Sequence, residues 1–201
     1  RREPNGWDRR GFDDNAWSPT RIAKAPPGGL VAQHWPAVRT FDRFPPQEII
    51  QPAPGVWLYR FGQNSSAQLR VELEGGQPGA RVAFRCGEHK NDKNRLFGGY
   101  VVGCEIVVND KPLTHQWLSF YLGMQFVEVT GAVPAGRDNP DHLPVIRSME
   151  LVHVRTGLDE GGRFECSSTL FNRTHNLIDW AMRSNMSHVL TDCPHREKLG
   201  W

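Results

Sequence analysis

Between residues 56 and 154 the chain runs in short apolar stretches with a period of two. Ala67-Gln68-Leu69-Arg70-Val71-Glu72-Leu73-Glu74 alternates without a break, which predicts a strand with one buried and one wetted face. Val56-Trp57-Leu58-Tyr59-Arg60-Phe61 is apolar and rich in β-formers. Further runs follow at Arg81 to Cys86, Gly99 to Val108, His115 to Tyr121, Gln125 to Val129, Val145 to Val154 and Arg163 to Cys166. Breakers such as Glu74-Gly75-Gly76-Gln77-Pro78-Gly79 divide them. Short β runs between Gly/Pro/Asn/Asp turns predict an antiparallel β-sandwich over residues 45–165. After Cys166 the period changes. Ser167 and Ser168 suit an N-cap, and Leu170, Phe171, Leu177, Ile178, Ala181 and Met182 recur at helical spacing with Trp180 beside them. One amphipathic helix of about four turns is expected, weakening at the polar Ser184 to Ser187. Residues 1–44 show little periodicity and carry the breaker Pro26-Pro27-Gly28-Gly29. They read as the tail of a preceding β domain and a linker, with Trp7, Trp17 and Trp35 as docking anchors.

Composition narrows the function classes. With 24 basic and 22 acidic residues the net charge is +2. There is no strong field to attract nucleic acid or a membrane surface, and no apolar run approaches the roughly 18 residues of a span. Cys86, Cys104, Cys166 and Cys193 form no C-x-x-C pair, and no ligand spacing for a metal stands out, so neither metal nor cofactor is expected. The chain opens on Arg1-Arg2 and stops at Trp201 in the middle of a motif, and it is expected to be an internal piece of a longer protein.

That motif is Thr191-Asp192-Cys193-Pro194-His195-Arg196-Glu197-Lys198-Leu199-Gly200-Trp201. Asp192 suits a cap, Pro194 a first helical turn and Glu197 an early helical position, so the spacing predicts the start of a second helix. The same residues bring two carboxyls, an imidazole, a guanidinium and an indole into one short stretch. A functional reading has Asp192 and Glu197 project into a pocket.

Several segments, in the same order along the chain, resemble bacterial α-L-rhamnosidases of glycoside hydrolase family 78. Phe61-Gly62-Gln63-Asn64, Arg85-Cys86-Gly87-Glu88 and Phe126-Val127-Glu128-Val129-Thr130-Gly131 are similar to segments of the family's concanavalin-like β domain. Ser167 to Asn185 resembles the first helix of its (α/α)6 barrel, and Thr191 to Trp201 resembles the most specific signature. Here Glu197 and Lys198 alone separate Arg196 from Leu199-Gly200-Trp201, one residue fewer than in many members.

The resemblance implies a mainly β fold: an antiparallel sandwich (45–165) after a tail and linker (1–44), then the truncated start of an (α/α)6 barrel (166–201). It implies removal of terminal α-L-rhamnose from glycosides or polysaccharides by an inverting mechanism, which needs a general acid and a second carboxylate that activates water. On Gly200-Trp201 as anchor, Glu197 takes the acid's place, with Trp201 as an apolar wall. Asp192 would grip hydroxyls and Arg196 would orient a carboxylate or form a structural ion pair. His195 would bond a hydroxyl or relay a proton, and Asn185 would reach the pocket. Glu88 and Glu128 read as structural. The second carboxylate lies in the remainder of the parent chain, so the isolated piece is expected to be inactive. Two alternatives remain: a related (α/α)6 polysaccharide lyase acting on rhamnosyl-uronate links, and a non-catalytic carbohydrate-binding β module.

Overall fold

The computed structural model describes residues 4, 6–98, 101–109, 111–159 and 161–200. Trp201 and Gly99 lie outside the described residues. Two compact units divide the chain, Arg1–His34 and Trp35–Trp201. The first is a run of turns. Asp13 Oδ1 accepts from the backbone N–H of Asn15 at 3.1 Å, and the rings of Phe12 and Trp17 stand 5.4 Å apart.

The second unit is mainly β, as expected. Its strands are β1 (Val38–Phe44), β2 (Pro46–Ala53), β3 (Val56–Glu74), β4 (Arg81–Gly87), β5 (Val102–Val107), β6 (Leu113–Gln116), β7 (Leu122–Thr130), β8 (Val133–Pro134) and β9 (Val145–Thr156). Together they form one nine-stranded sheet ordered β1-β9-β3-β7-β4-β5, with β2 and β6 also paired to β3 and β8 to β9. All pairings are antiparallel except the short β8–β9 contact. The strand β3 explains how one sheet makes a sandwich. Its first half lies between β2 and β7, its second half between β9 and β6, and the register shifts between Arg60 and Ser65. The sheet curls at that bend, and Trp57, Tyr59 and Phe61 from one half meet Leu69, Val71 and Leu73 from the other in a single core. Each such buried side chain contributes roughly 1.5–3 kcal/mol.

Several local expectations are corrected. The runs at Val56 and Ala67 are one continuous strand. β1 and β2 went unpredicted: β1 falls within the stretch read as tail and linker, and β2 carries Pro46 and Pro52. Both lie at sheet edges, where exposed positions hide the alternation and proline is tolerated. Arg163 to Cys166 is not a strand. Arg163 and Glu165 are exposed and pair with each other at 2.6 Å.

The predicted helix is present as α1 (Thr169–Ser184), 16 residues long. Ser168 stands at the N-cap without a side-chain bond. Asn172 instead closes that end, donating to the carbonyl of Cys166 at 2.7 Å and accepting its N–H at 2.9 Å. The apolar stripe of Leu170, Phe171, Leu177, Ile178 and Met182 is exposed, 49–72%, rather than buried. Trp180 holds α1 on the sheet, 5.8 Å from the ring of Phe44 and 5.5 Å from that of His153.

His153 is fully buried. Its Nδ1 lies 2.8 Å from the carbonyl of Ser66, and its Nε2 has no hydrogen-bond partner. Burial pushes its pKa below the ordinary value, with the charges of Arg155 and Arg183 adding to the effect against the opposing Ser66 bond and Asp42. The folded state therefore keeps this imidazole neutral, while the unfolded chain protonates it near pH 6.5. Stability is expected to be fully present above that pH and to fall below it, by at most about 1.4 kcal/mol per pH unit for one proton. Urea unfolding from pH 7 to 5 checks this; His153→Gln should flatten that part of the profile.

Candidate functional site

From α1 onward the chain folds into a closed loop rather than a second helix. Asn185 caps α1, donating its N–H to the carbonyls of Ala181 and Met182. A short hairpin follows, β10 (Met186–Ser187) and β11 (Val189–Leu190), turning at His188 with φ +64°. Thr191 then anchors to the carbonyl of Asn185 through its N–H at 2.8 Å and its hydroxyl at 3.0 Å.

Thr191 also bridges Gly200, which closes residues 191–200 into a loop. The N–H of Asp192 donates to the carbonyl of Leu199 at 3.0 Å, and Asp192 Oδ1 accepts the N–H of Leu199 at 3.1 Å. Glu197 and Lys198 have φ of +50° and +57°. Such left-handed backbone is costly for residues with a Cβ and ends any right-handed helix, so the capping pattern at Asp192 serves a loop.

The sheet holds this loop at three places. The carbonyl of Pro194 accepts the N–H of Gly123 at 3.2 Å. His195 Nδ1 lies 3.0 Å from Glu88 Oε2. Lys198 Nζ donates to the carbonyl of Tyr121 at 2.7 Å and stands 4.0 Å above its ring. Gly123 is required at the first of these. A Cβ there would lie 2.7 Å from Pro194 Cγ and 2.8 Å from Glu88 Oε1. Gly123→Ala is expected to lift the loop and cost about 1–3 kcal/mol of stability, the range for overpacking. Chemical denaturation checks the cost, and the amide shifts of residues 192–199 check the displacement.

Asp192 and Glu197 share the loop. Partial desolvation works to push the pKa of the Asp192 carboxyl up. Hydrogen bonds from the thiol and backbone of Cys193, the N–H of Leu199 and the side chain of Glu197 outweigh this and hold it below the ordinary value. Cys193 Sγ is 3.2 Å from Asp192 Oδ2. Asp192 is thus held in its ionised form. Glu197 and Arg196 are exposed, and the guanidinium of Arg196 makes no ion pair among the described residues.

The other expected site residues divide. His195 joins the loop, three-quarters or more withdrawn from water. Asn185 serves α1 instead: its Nδ2 donates to the carbonyl of Ala181 at 2.9 Å, and its Oδ1 is buried without a partner. The part expected of Trp201 lies outside the described residues. A cavity of about 880 Å³ lies between residues 155–165 and α1, and none of residues 191–200 line it. Among the described residues no group of three His, Cys, Asp or Glu is placed to hold a metal ion. Sequence reasoning missed Glu88, Asn64, Tyr121 and Gly123 as supports of the loop. The signal lay in the segments Phe61 to Asn64 and Arg85 to Glu88, which end at the two residues that meet beneath His195.

Residues 159–201 match the family model described as the bacterial alpha-L-rhamnosidase 6 hairpin glycosidase domain. An alpha-L-rhamnosidase of Formosa agariphila is 26% identical, over 99% of this chain and 21% of its own length. The chain is similar to α-L-rhamnosidases along nearly its whole length. The structure of the Dictyoglumus thermophilum rhamnosidase superposes with a TM-score of 0.85 at 25% identity, over 99% of this chain and 22% of that one. The Streptomyces avermitilis rhamnosidase, solved in complex with L-rhamnose, superposes at 0.84 with 29% identity, over 98% of this chain and 19% of that one. The chain thus spans about a fifth of the length of the rhamnosidases it matches.

Proposed function

We propose that this chain is the part of an inverting α-L-rhamnosidase that carries the acid-bearing loop. The observation that carries the proposal is the loop itself: Glu197 exposed beside an ionised Asp192, on a segment tied to the sheet at Gly123, Glu88 and Tyr121. In this reading Glu197 protonates the leaving glycosidic oxygen, as cleavage with an oxocarbenium-like transition state requires. Asp192 holds sugar hydroxyls and places negative charge beside the developing cation. The free fork of Arg196 orients a carboxyl or a hydroxyl pair. His195 bonds a hydroxyl, Trp201 supplies an apolar wall for the deoxysugar, and Asn185 acts by holding the start of the loop.

The division of labour is part of the proposal. Residues 1–44 end a preceding domain and finish in β1, residues 45–165 supply the rest of the β scaffold, and residues 166–201 open an (α/α)6 barrel. The exposed apolar stripe of α1 supports this, since a lone surface helix would leave five large side chains wet. A barrel needs the remainder of the parent chain, and so does the second carboxylate that activates water about 6.5–9.5 Å from the acid. The substrate is a glycoside or oligosaccharide ending in rhamnose, with no nucleic-acid or membrane partner.

Hydrolysis of an aryl α-L-rhamnoside by the enzyme containing this segment, followed by proton NMR within the first minutes, tests the reading. The β-anomer of rhamnose should appear first. The α-anomer first would overturn inversion, and an unsaturated uronate from rhamnosyl-uronate polymers would mark a lyase. The 201-residue chain alone should release no rhamnose.

A further inference from the structure

Glu88 directly follows β4 and is largely withdrawn from water, with 18% of its side chain exposed. One carboxylate oxygen accepts from Asn64 Nδ2 at 3.1 Å, and the other lies 3.0 Å from His195 Nδ1. Asn64 sits at the bend of β3, where the register shifts. The carboxylate is therefore fixed by the sheet, and the imidazole comes to it from the loop. His195 Nδ1 is buried and makes no well-aligned hydrogen bond; among the described residues the charged group facing it is Glu88 Oε2 at 3.0 Å, close enough for a small turn of the ring to complete the bond. Gly123 makes the approach possible, because a Cβ there would enter the space of Glu88 Oε1. Three stretches far apart in sequence thus converge on one ring nitrogen.

A lone packing contact would not need a carboxylate. A carboxylate facing Nδ1 sets the tautomer: it favours the proton on that nitrogen and leaves Nε2 with its lone pair. Nε2 makes no hydrogen bond to a described residue, and 21% of the His195 side chain remains exposed. We infer that Glu88, steadied by Asn64, is a positioning residue that orients His195 so that Nε2 accepts a hydrogen bond from a hydroxyl of the bound sugar. The inference rests on the rhamnosidase reading for its substrate, while the orientation of the ring stands apart from it.

Two measurements separate these parts. Imidazole nitrogen NMR on the 201-residue chain should find neutral His195 with its proton on Nδ1. Glu88→Ala should shift the population towards the other tautomer, and Glu88→Asp should restore part of it. The same tautomer in wild type and E88A would overturn the inference. In the enzyme containing this segment, E88A should lower kcat/KM on an aryl α-L-rhamnoside roughly ten- to hundredfold, the usual effect of removing the partner that orients a functional histidine. The melting temperature should stay close to wild type. H195A should cost as much, and the double variant no more than either single one. Additive losses would overturn the inference, since they would mean the two residues act separately. If the wild-type enzyme cleaves no rhamnoside but the tautomer still responds to E88A, the substrate reading fails and the positioning of His195 by Glu88 stands.

Discussion

Replacing Glu197 with Gln in the enzyme that contains this segment is expected to lower kcat on alkyl and sugar rhamnosides by about 10²–10⁴, the usual contribution of a positioned general acid. The amide keeps the shape and much of the polarity of the side chain but has no proton to give a leaving oxygen. Because the side chain is exposed, the fold should be nearly untouched, with stability within about 0.5 kcal/mol of wild type. The size of the loss should depend on the leaving group. A dinitrophenolate leaves without protonation, so activity on its rhamnoside should fall far less than on an alkyl rhamnoside. An equal loss on both would point to binding rather than acid catalysis, and unchanged turnover on both would remove Glu197 from the acid's role. Asp192→Asn should behave differently, lowering both classes together, since an ionised group beside the developing cation serves every leaving group.

The second large effect concerns the scaffold. Glu128 is buried in β7 with 1% of its side chain exposed. Arg95 reaches it at 2.7 Å and 3.0 Å, Arg85 at 2.9 Å, and the N–H of Leu96 at 3.4 Å. Burial works to raise the Glu128 pKa. The hydrogen bonds and charge of Arg95, the N–H of Leu96 and the charge of Arg85 outweigh it and hold the carboxyl below its ordinary value. The asymmetry decides which substitution hurts. The two arginines are 48% and 39% exposed and can turn to water if Glu128 is lost. Glu128 has no such escape if both arginines are lost. Arg85→Ala with Arg95→Ala is therefore expected to cost about 3–5 kcal/mol near neutral pH, the range for an uncompensated buried charge, and Glu128→Gln clearly less. A native carboxylate held below its ordinary pKa stabilises the fold above the unfolded pKa and loses that contribution as pH falls through the folded value. The double variant's deficit should thus shrink in acid, because its unpaired buried carboxyl takes up a proton and the cost of the uncompensated charge disappears. Denaturant titrations at pH 7 and pH 4 check this, and a deficit independent of pH would mean that packing, not charge, dominates.

Arg95 also ties the β4–β5 loop that begins with Glu88. Asn91 Oδ1 accepts the backbone N–H groups of Lys93 and Arg95, and Lys90 bridges Leu96. The ion cluster around Glu128 therefore steadies the base from which Glu88 reaches the loop of residues 191–200.

Much of this was legible in one dimension. Strict alternation at Leu69, Val71 and Leu73 placed all three in the core, because a strand's side chains change face at every residue. Helical spacing located α1. Local patterns failed wherever a neighbour decided the outcome. β1 and β2 exist because β9 and β3 offer them hydrogen bonds, not because their own sequences alternate. The cap-like Asp192-Cys193-Pro194 suits a helix start equally well. Contacts with Gly123, Glu88 and Tyr121 instead hold the chain in a conformation with positive φ at Glu197 and Lys198.

The sequence by itself determined the faces of the alternating strands and the place of the helix, since the burial period is a property of the local chain. Only the tertiary structure decided that β3 serves both layers, that α1 leaves its apolar stripe open and that Glu88, read as a scaffold acid, stands against His195. Those depend on which distant backbone groups and charges meet, and pairing across the 107 positions that separate Glu88 from His195 leaves no periodic trace in the sequence.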